Sequence, residues 1–220
     1  MDNYNKNLIV VDNNDNIIGT VKALTGHHKS FLTLHRAFSL FLVDNENSLV
    51  LQKRSNDKLV FPGIWANTVC SHPFLNPLSF SDPILDAKNH LIKRLNYELG
   101  INNIKEEELQ YIGRVWYMAT DTKYFGHLLE GEPCAQEYKE FEIGENLQVE
   151  KYSKDFFEWE IDYIFVCKKT VDIVLNTEEV QDVTTVNKQK YNKMVENGLI
   201  SKWTRIIVDK SNIFDILEKL

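Results

Sequence analysis

Cysteine is scarce in this chain, and long apolar runs are missing. The 220 residues include three cysteines, Cys70, Cys134 and Cys167, an odd number spread over separate segments. Such cysteines are typical of free thiols in a reducing compartment and argue against a disulfide framework. No apolar stretch approaches the roughly 18 residues of a membrane-spanning helix, and the opening MDNYNKNLIVVD lacks the apolar core of a secretory signal. We therefore expect a cytoplasmic protein without a membrane span.

Excess positive charge is also lacking. The formal net charge is −7 at pH 7, whereas surfaces that bind nucleic acid are basic. We therefore expect no nucleic-acid partner. A net negative charge still allows a local basic pocket for a small anion.

Internal repeats and low-complexity linkers are absent from the sequence, which predicts one domain over residues 1–220. Strand patterns cover 8–12, 17–21, 35–44, 49–55, 109–120, 156–169 and 179–186. Helices are predicted over 81–100, over 187–198 and from 203 onward with a break near 209–212. Interspersed strands and helices indicate an α+β fold with a mixed central β-sheet flanked by helices.

Residues 121–150 form an acidic stretch inside this domain. They carry eight acidic side chains against two lysines, a net charge of −6 that accounts for most of the charge of the whole chain. Aromatic and leucine residues within the stretch argue against wholesale disorder. We expect an ordered, acidic surface insertion.

The segment PGIWANTVCSHP, residues 62–73, places Cys70 two residues before His72. Alternate residues of an extended segment point the same way, so the two side chains face one pocket if 68–72 is a strand. A buried cysteine is often only a small apolar filler. In this setting, however, one side chain can exchange a proton and the other can hold a metal.

The segment EWEID places Glu158, Glu160 and Asp162 at a spacing of two on a predicted central strand, so the three acids share one face. Burying them unpaired would cost several kcal/mol each, and a cation is the natural alternative to a solvent-facing edge. Histidines lie at positions 28, 35 and 72. Histidine nitrogens and carboxylate oxygens together suit Zn²⁺, Mn²⁺ or Mg²⁺. Convergence of these residues on one metal is a hypothesis that the sequence leaves open.

The segment KRSNDK supplies Lys53, Arg54 and Lys58 just before the Cys70 segment, and Lys22 is a further basic candidate. Lysines are common on solvated edge strands. The alternative is a clamp for a diphosphate, because arginine can make two parallel hydrogen bonds to phosphate oxygens.

Several segments together resemble type I isopentenyl-diphosphate isomerase, a branch of the Nudix-fold superfamily. They are, in the order of that family, LHRAFSLFL, VLQKRSNDK, FPGIWANTVCSHP, RLNYELGI, WYMATD, EWEIDYI and SKWTRII. The resemblance covers residues 8–210 apart from the acidic insertion, and NTVCSHP followed by EWEIDYI is its most specific part.

This resemblance implies a role for each matching residue. Cys70 and Glu160 match the family's catalytic cysteine and glutamate, and Tyr117 matches the tyrosine that assists the glutamate. The implied metal ligands are His28, His35, His72, Glu158 and Glu160, although the adjacent His27 is an alternative to His28. The residues implied to bind substrate are Lys22, Arg54 and Lys58 for the diphosphate, Glu98 for a second Mg²⁺ bound with it, and Trp203 for the isoprenoid carbons.

The implied activity is the conversion of isopentenyl diphosphate to dimethylallyl diphosphate by a monomer or homodimer. One rival is a Nudix hydrolase, whose motif GX5EX7REUXEEXGU supplies glutamates to hold metals at the phosphates. With the final glycine of that motif aligned on Gly100, of its glutamates only Glu98 is retained. Hydrolysis is therefore disfavoured. A non-catalytic, metal-binding Nudix-like domain is the other alternative, and it would have no need of Cys70, Glu160 and Tyr117 together.

Overall fold

The computed structural model describes residues 6–58, 61–120, 124–133, 135–136 and 156–219. Within these ranges the strands are β1 Asn7–Val11, β2 Ile17–Lys22, β3 His35–Val43, β4 Leu49–Arg54, β5 Trp65–Ala66, β6 Val69–Ser71, β7 Gln110–Ala119, β8 Tyr124–Leu129, β9 Glu158–Lys168 and β10 Val180–Val186. The helices are α1 Ala23–His27, α2 Leu78–Ser81, α3 Pro83–Leu99, α4 Lys188–Glu196, α5 Lys202–Ser211 and α6 Ile213–Leu217, with a 3-10 turn at Glu106–Glu108. In this part of the chain no helix is both long and apolar enough to cross a membrane.

The strands form one mixed sheet with the order β10-β4-β3-β9-β7-β8, and β1, β2, β5 and β6 pair alongside. Strands β3 and β9 run parallel at its centre, with His35 opposite Glu160. Strands β3 and β4 pair only at Val43 and Leu49, so the sheet opens beyond that pair. The short β6 joins β3 in the opening, where Cys70 lies opposite Ser39. This split is what creates room for a site inside the sheet.

Two hydrophobic cores lie on opposite faces of the sheet. The apolar face of α3 packs into the first core through Ala87, Leu91, Leu95 and Leu99. Helices α4, α5 and α6 pack into the second core, and Trp203 is the largest side chain that they contribute to it. Because side chains alternate along a strand, β9 sends Ile161 to the first core and Ile164 to the second. The expected α+β architecture, a mixed sheet flanked by helices, is therefore confirmed.

Helix α3 shows why its boundaries could be predicted. Asp82 caps its N-terminus by accepting a hydrogen bond from the Leu85 amide at 2.9 Å, and Pro83 occupies the first turn. Gly100 ends the helix in the left-handed region at φ 65°, which glycine adopts without steric cost. The predicted span of 81–100 therefore exceeds the helix by two residues at its start and one at its end.

Two segments differ from the sequence prediction. Residues 23–27 lie outside the predicted strands and helices, so they are expected to form a loop. They form α1 instead, which begins directly after β2. Within the acidic insertion, residues 124–129 form β8, which pairs antiparallel with β7. That pairing makes this part of the insertion an edge strand of the sheet. Of the rest of the predicted insertion, residues 130–133 and 135–136 are described, whereas 121–123, 134 and 137–150, including Cys134, lie outside the described residues.

Candidate active site

Strand β9 brings three acidic side chains to one face of the sheet, as their spacing predicts. Glu158, Glu160 and Asp162 are all buried, with relative exposures of 9%, 4% and 1%. The intervening Trp159 and Ile161 pack into the first core on the other face. A buried row of acids has to be compensated by partners, and each of the three has a different one.

Glu158 belongs to a compact group with three histidines. One ligand atom from each of His27, His35, His72 and Glu158 lies within 4.8 Å of the others. Three segments supply the histidines: the last residue of α1, the first residue of β3 and the residue after β6. The distance from His27 Nδ1 to Glu158 Oε2 is 3.0 Å.

The chemistry of this group fits a divalent metal. His35 Nδ1 lies 2.7 Å from the Thr33 carbonyl oxygen, which accepts a hydrogen bond only if Nδ1 carries the proton. His35 Nε2 then presents a lone pair to the group, and it is fully buried without a hydrogen-bond partner. A carbonyl that holds the outer nitrogen of a histidine is the usual support of a metal-ligating imidazole.

Burial also sets the protonation of these histidines. Loss of solvation lowers the pKa of His72 to about 4, against the opposing hydrogen bond with Glu160, so the ring is neutral at pH 7 and can act as a ligand. For His27, burial acts to lower the pKa, but the Glu158 carboxylate overcomes it and raises the pKa above its ordinary value.

The two candidates for the first histidine occupy different positions in the structure. His27, not His28, lies in the ligand group. His28 follows α1 in extended backbone, and its ring packs against Phe31 and Phe156 at centroid distances of 5.9 and 5.7 Å. Adjacent residues at the end of a helical turn point in different directions, so only one of the two histidines can face the sheet.

Glu160 is held by a set of hydrogen bonds of its own. The Tyr117 hydroxyl donates to Glu160 Oε2, and His72 Nε2 lies 2.8 Å from Oε1. His35 Nε2 is 3.4 Å from the same oxygen. Burial opposes ionisation of Glu160, but the contacts with His35 and His72 outweigh it and hold its pKa well below the usual range. Glu160 thus contacts two members of the histidine group, His35 and His72.

Cys70 lies on β6, which pairs with β3 on the edge opposite to β9. Its side chain packs against the second core, and its thiol senses the charges of Arg54, Glu98 and Glu160. Burial raises the pKa of Cys70 to about 12, with Arg54 acting in the opposite direction. Between the two proton-transfer candidates, Ser39 donates a hydrogen bond to Asp162 Oδ2 at 2.7 Å.

Trp203 of α5 belongs to the second core, against which Cys70 also packs. Its side chain is buried at 2% exposure and packs against the ring of Phe61 at 5.1 Å. The Arg54 guanidinium lies 5.5 Å from the indole centroid, so a cationic group already occupies the neighbourhood of this ring. The indole is therefore placed to contact a hydrocarbon chain or a developing positive charge.

Two of the residues predicted to bind the diphosphate and its Mg²⁺, Lys58 and Glu98, belong to a second cluster of charged side chains. Glu98 is buried and accepts a hydrogen bond from Gln52 Nε2 at 3.2 Å and one from Arg94 Nε at 2.7 Å. Arg94 also donates to Glu179 at 2.8 Å, and Glu179 pairs with Lys58. Lys22 is the last residue of β2 and directly precedes α1.

Two members of this cluster, Arg94 and Glu179, were missed by the sequence prediction. Arg94 lies four residues before Glu98 on one helix, a spacing at which oppositely charged side chains meet, so this signal was available. Glu179 precedes β10 and reaches the cluster only because β10 pairs with β4. No local pattern indicates that contact.

Comparison with known proteins supplies the family. No family model matches the chain. The chain is 32% identical over 213 residues to isopentenyl-diphosphate Delta-isomerase 1 of Mesocricetus auratus, covering 91% of this chain and 80% of that protein. Isopentenyl-diphosphate Delta-isomerase 1 of Bos taurus is 31% identical over 212 residues, with 91% and 80% covered.

Among solved structures, the Deinococcus radiodurans protein DR0079 is matched with a TM-score of 0.54 at 11% identity, over 97% of this chain and 98% of that one. This likeness concerns the fold alone. The sequence relatives carry the assignment: the chain belongs to the isopentenyl-diphosphate Delta-isomerase family.

Proposed function

We propose that this protein converts isopentenyl diphosphate to dimethylallyl diphosphate, with Cys70 and Glu160 as the proton-transfer residues. One observation supports the proposal: Cys70 on β6 and Glu160 on β9 lie on the two strands that pair with β3, and the Cys70 thiol lies close enough to Glu160 to be influenced by its charge. The names of the relatives support the same reaction.

The reaction moves a double bond without changing the composition of the substrate. A proton adds to the terminal alkene carbon, which leaves positive charge on the tertiary carbon. A second proton then leaves the carbon on the other side, and its C–H electrons form the new double bond. An acid and a base on opposite sides of a flat hydrocarbon are therefore required, and Cys70 and Glu160 can occupy those sides.

Tyr117 and Trp203 support these two groups. The Tyr117 hydroxyl holds Glu160 in place, and a fixed carboxyl group transfers a proton more effectively than a mobile one. The Trp203 indole can stabilise a desolvated cation by roughly 2 kcal/mol or more. Its burial also keeps water from trapping the cation as an alcohol.

The metal group supports a divalent cation, Zn²⁺, Mn²⁺ or Mg²⁺, held by His27, His35, His72, Glu158 and Glu160. When bound, such a cation would tune the proton affinity of Glu160 through its charge. We propose that Glu98 binds the Mg²⁺ that accompanies the substrate diphosphate. The residues proposed for the diphosphate itself are Lys22, Arg54 and Lys58. We assign the protein to the cytoplasm, in keeping with its scattered thiols.

The test incubates the protein with isopentenyl diphosphate and Mg²⁺ in D₂O. We expect deuterium-labelled dimethylallyl diphosphate, detected by mass spectrometry and NMR, because the added proton comes from an exchangeable group. Release of inorganic phosphate without the isomer would instead identify a hydrolase and overturn the proposal. Substrate recovered without deuterium and without product would support the non-catalytic alternative.

A further inference from the structure

Strand β8 lies at one end of the sheet, and its outer edge is open. It pairs with β7 on one side, and among the described residues no backbone hydrogen bond reaches its other side. An open edge presents N–H and C=O groups that can pair with a further strand. Soluble proteins often protect such an edge with proline or charged residues, but the sequence of β8, YFGHLL, contains neither proline, lysine, arginine nor an acid.

This edge also exposes apolar side chains. Of the seven large apolar side chains that are exposed in the described part of the chain, three lie on β8: Tyr124 at 41%, Phe125 at 52% and Leu128 at 47%. Single exposed apolar residues are normal on a soluble protein. A cluster of them along one open strand is instead typical of a contact surface between proteins.

Both faces of β8 contribute to this cluster. Side chains alternate along a strand, so Tyr124 and Leu128 lie on one face of β8, whereas Phe125 and His127 lie on the other. Trp116 of β7 contacts the second pair, with ring centroids 5.6 Å from Phe125 and 5.1 Å from His127. A strand added to this edge would therefore meet apolar or aromatic side chains on both faces.

A second copy of β8 is a suitable strand for this edge. When two copies run antiparallel about a two-fold axis at Gly126, Tyr124 lies opposite Leu128 of the second copy, and Phe125 lies opposite His127 of the second copy. Residues opposite each other share a face of the combined sheet, and aromatic cross-strand pairs of this kind stabilise it. Two-fold symmetry repeats each pair, so the contact is made twice.

Charges at the two ends of β8 fit the same arrangement. At its start, the Arg205 guanidinium lies 5.1 Å from the centroid of the Tyr124 ring. Directly after its end, Glu130 is exposed. In the described part of the chain neither Arg205 nor Glu130 forms an ion pair. Six residues of strand, about 20 Å, separate Tyr124 from Glu130 of the same chain, whereas antiparallel pairing brings Arg205 close to Glu130 of the second copy.

We propose that β8 is a homodimer interface, at which two copies of this chain join their sheets through antiparallel β8 strands. A second copy is the favoured occupant because the strand complements itself. Apolar side chains meet along its centre, and opposite charges meet at its ends. A two-fold contact of this kind closes after two subunits and does not propagate into a fibre. The inference goes beyond the proposed reaction and does not depend on it.

Sedimentation velocity over a range of protein concentrations measures the dimer Kd of the wild type and of Leu128→Lys. We expect the wild type to dimerise and Leu128→Lys to raise the Kd at least about tenfold, because a lysine on an edge strand opposes further pairing. Ile18→Lys is the matched control. Ile18 is an exposed strand residue on β2, with 58% exposure, and its substitution should leave the Kd at the wild-type value.

A charge exchange tests the arrangement of the two strands. Arg205→Glu and Glu130→Arg alone each place like charges against one another at both ends of the interface, so each should raise the Kd several-fold. The double variant Arg205→Glu/Glu130→Arg restores opposite charges between the copies, and its Kd should return to within about twofold of the wild type. Since the two side chains lie far apart within one chain, recovery in the double variant identifies a contact between copies.

Three results would overturn the proposal. A wild type that remains monomeric at every concentration would leave the β8 edge to a strand of another protein. A dimer whose Kd is the same in the wild type and in Leu128→Lys would place the contact on another surface. A double charge variant that dimerises no better than either single variant would reject the antiparallel pairing. Circular dichroism checks that each variant is folded, and the charge variants decide if Leu128→Lys is not.

Discussion

At the scale of single residues, the site depends on how burial is compensated. Glu160 is buried yet ionised, because His35 and His72 surround one of its oxygens and Tyr117 donates to the other. Cys70 is partly buried, and this burial raises the pKa of its thiol to about 12. The proposed reaction needs one group that donates a proton and one that accepts a proton.

Removing either group should nearly abolish turnover. Cys70→Ala and Glu160→Gln each eliminate a proton-transfer group, and such groups contribute roughly 10²- to 10⁴-fold to rates. We expect kcat to fall by at least about 10²-fold in each variant, measured by formation of dimethylallyl diphosphate. Cys167→Ala, which removes a thiol from the first core near the other end of β9, is the control for loss of a cysteine side chain. Activity within a few-fold of wild type in Cys70→Ala or Glu160→Gln would reject the assigned mechanism.

The pair His27 and His28 provides a direct test of the metal group. His27→Ala removes a ligand, and we expect affinity for Zn²⁺ or Mn²⁺ to fall at least tenfold, since even loss of a supporting hydrogen bond costs that much. His28→Ala is the adjacent control and should bind metal as the wild type does. Calorimetry on the metal-depleted proteins measures both. The reverse result would restore His28 as the ligand.

At the scale of the elements, the site depends on the split between β3 and β4. The two strands share only one residue pair, and β5 and β6 fill the opening on either side. This arrangement places the thiol of β6 and the carboxylates of β9 on the two flanks of β3. The cluster of Glu98, Arg94, Lys58 and Glu179 then ties α3 and β10 to the loop after β4.

That cluster should make stability depend on pH through Glu179. Burial opposes ionisation of Glu179, but Lys58 and Arg94 outweigh it and lower its pKa. A carboxyl group with a lowered pKa in the folded state stabilises the fold above its unfolded value of about 4.3, and this stabilisation is lost as the pH falls through the folded pKa.

We therefore expect Glu179→Gln to lower the free energy of unfolding at pH 7. The difference from wild type should shrink below about pH 4, where wild-type Glu179 also becomes protonated. Urea denaturation at a series of pH values measures this. Glu178→Gln alters the exposed neighbour and should show no such trend. A difference between Glu179→Gln and wild type that is constant from pH 7 to pH 3 would contradict the role of the ion pairs.

At the scale of the whole molecule, Asp15 joins distant parts of the sheet. This residue lies at the tip of the β1–β2 hairpin, with φ 69°, and is completely buried. Its carboxylate accepts from Arg36 of β3 at 2.6 Å, from Arg114 of β7 at 2.6 Å and from the Tyr163 hydroxyl of β9 at 2.5 Å. One side chain thus links the hairpin to three strands of the central sheet.

Substituting Asp15 should strongly destabilise the protein. Asp15→Asn keeps a residue that tolerates positive φ but leaves two buried arginines without a counter-charge. Breaking a buried ion pair in this way costs about 3–5 kcal/mol, measured by urea unfolding. Tyr163→Phe is the graded control, since it removes one hydrogen bond and should cost about 1 kcal/mol. Equal stability of Asp15→Asn and wild type would show that the network is not needed for the fold.

Local pattern determined most elements of this protein. Alternation and apolar content predicted β3, β7, β9 and β10, because the two faces of a strand meet different environments. Capping residues bounded α3 to within two residues. The same alternation placed Glu158, Glu160 and Asp162 on one face. The motifs around Cys70 and Glu160 indicated the family that the relatives confirm.

Tertiary structure alone decided which residues meet. The sequence cannot distinguish His27 from His28, because the choice depends on where α1 ends relative to β3. It does not indicate the contact of Glu179 with Arg94, which follows from the pairing of β10 with β4. These contacts join residues far apart in the chain, and their geometry is set by strand register and helix docking. Local propensity carries no information about either.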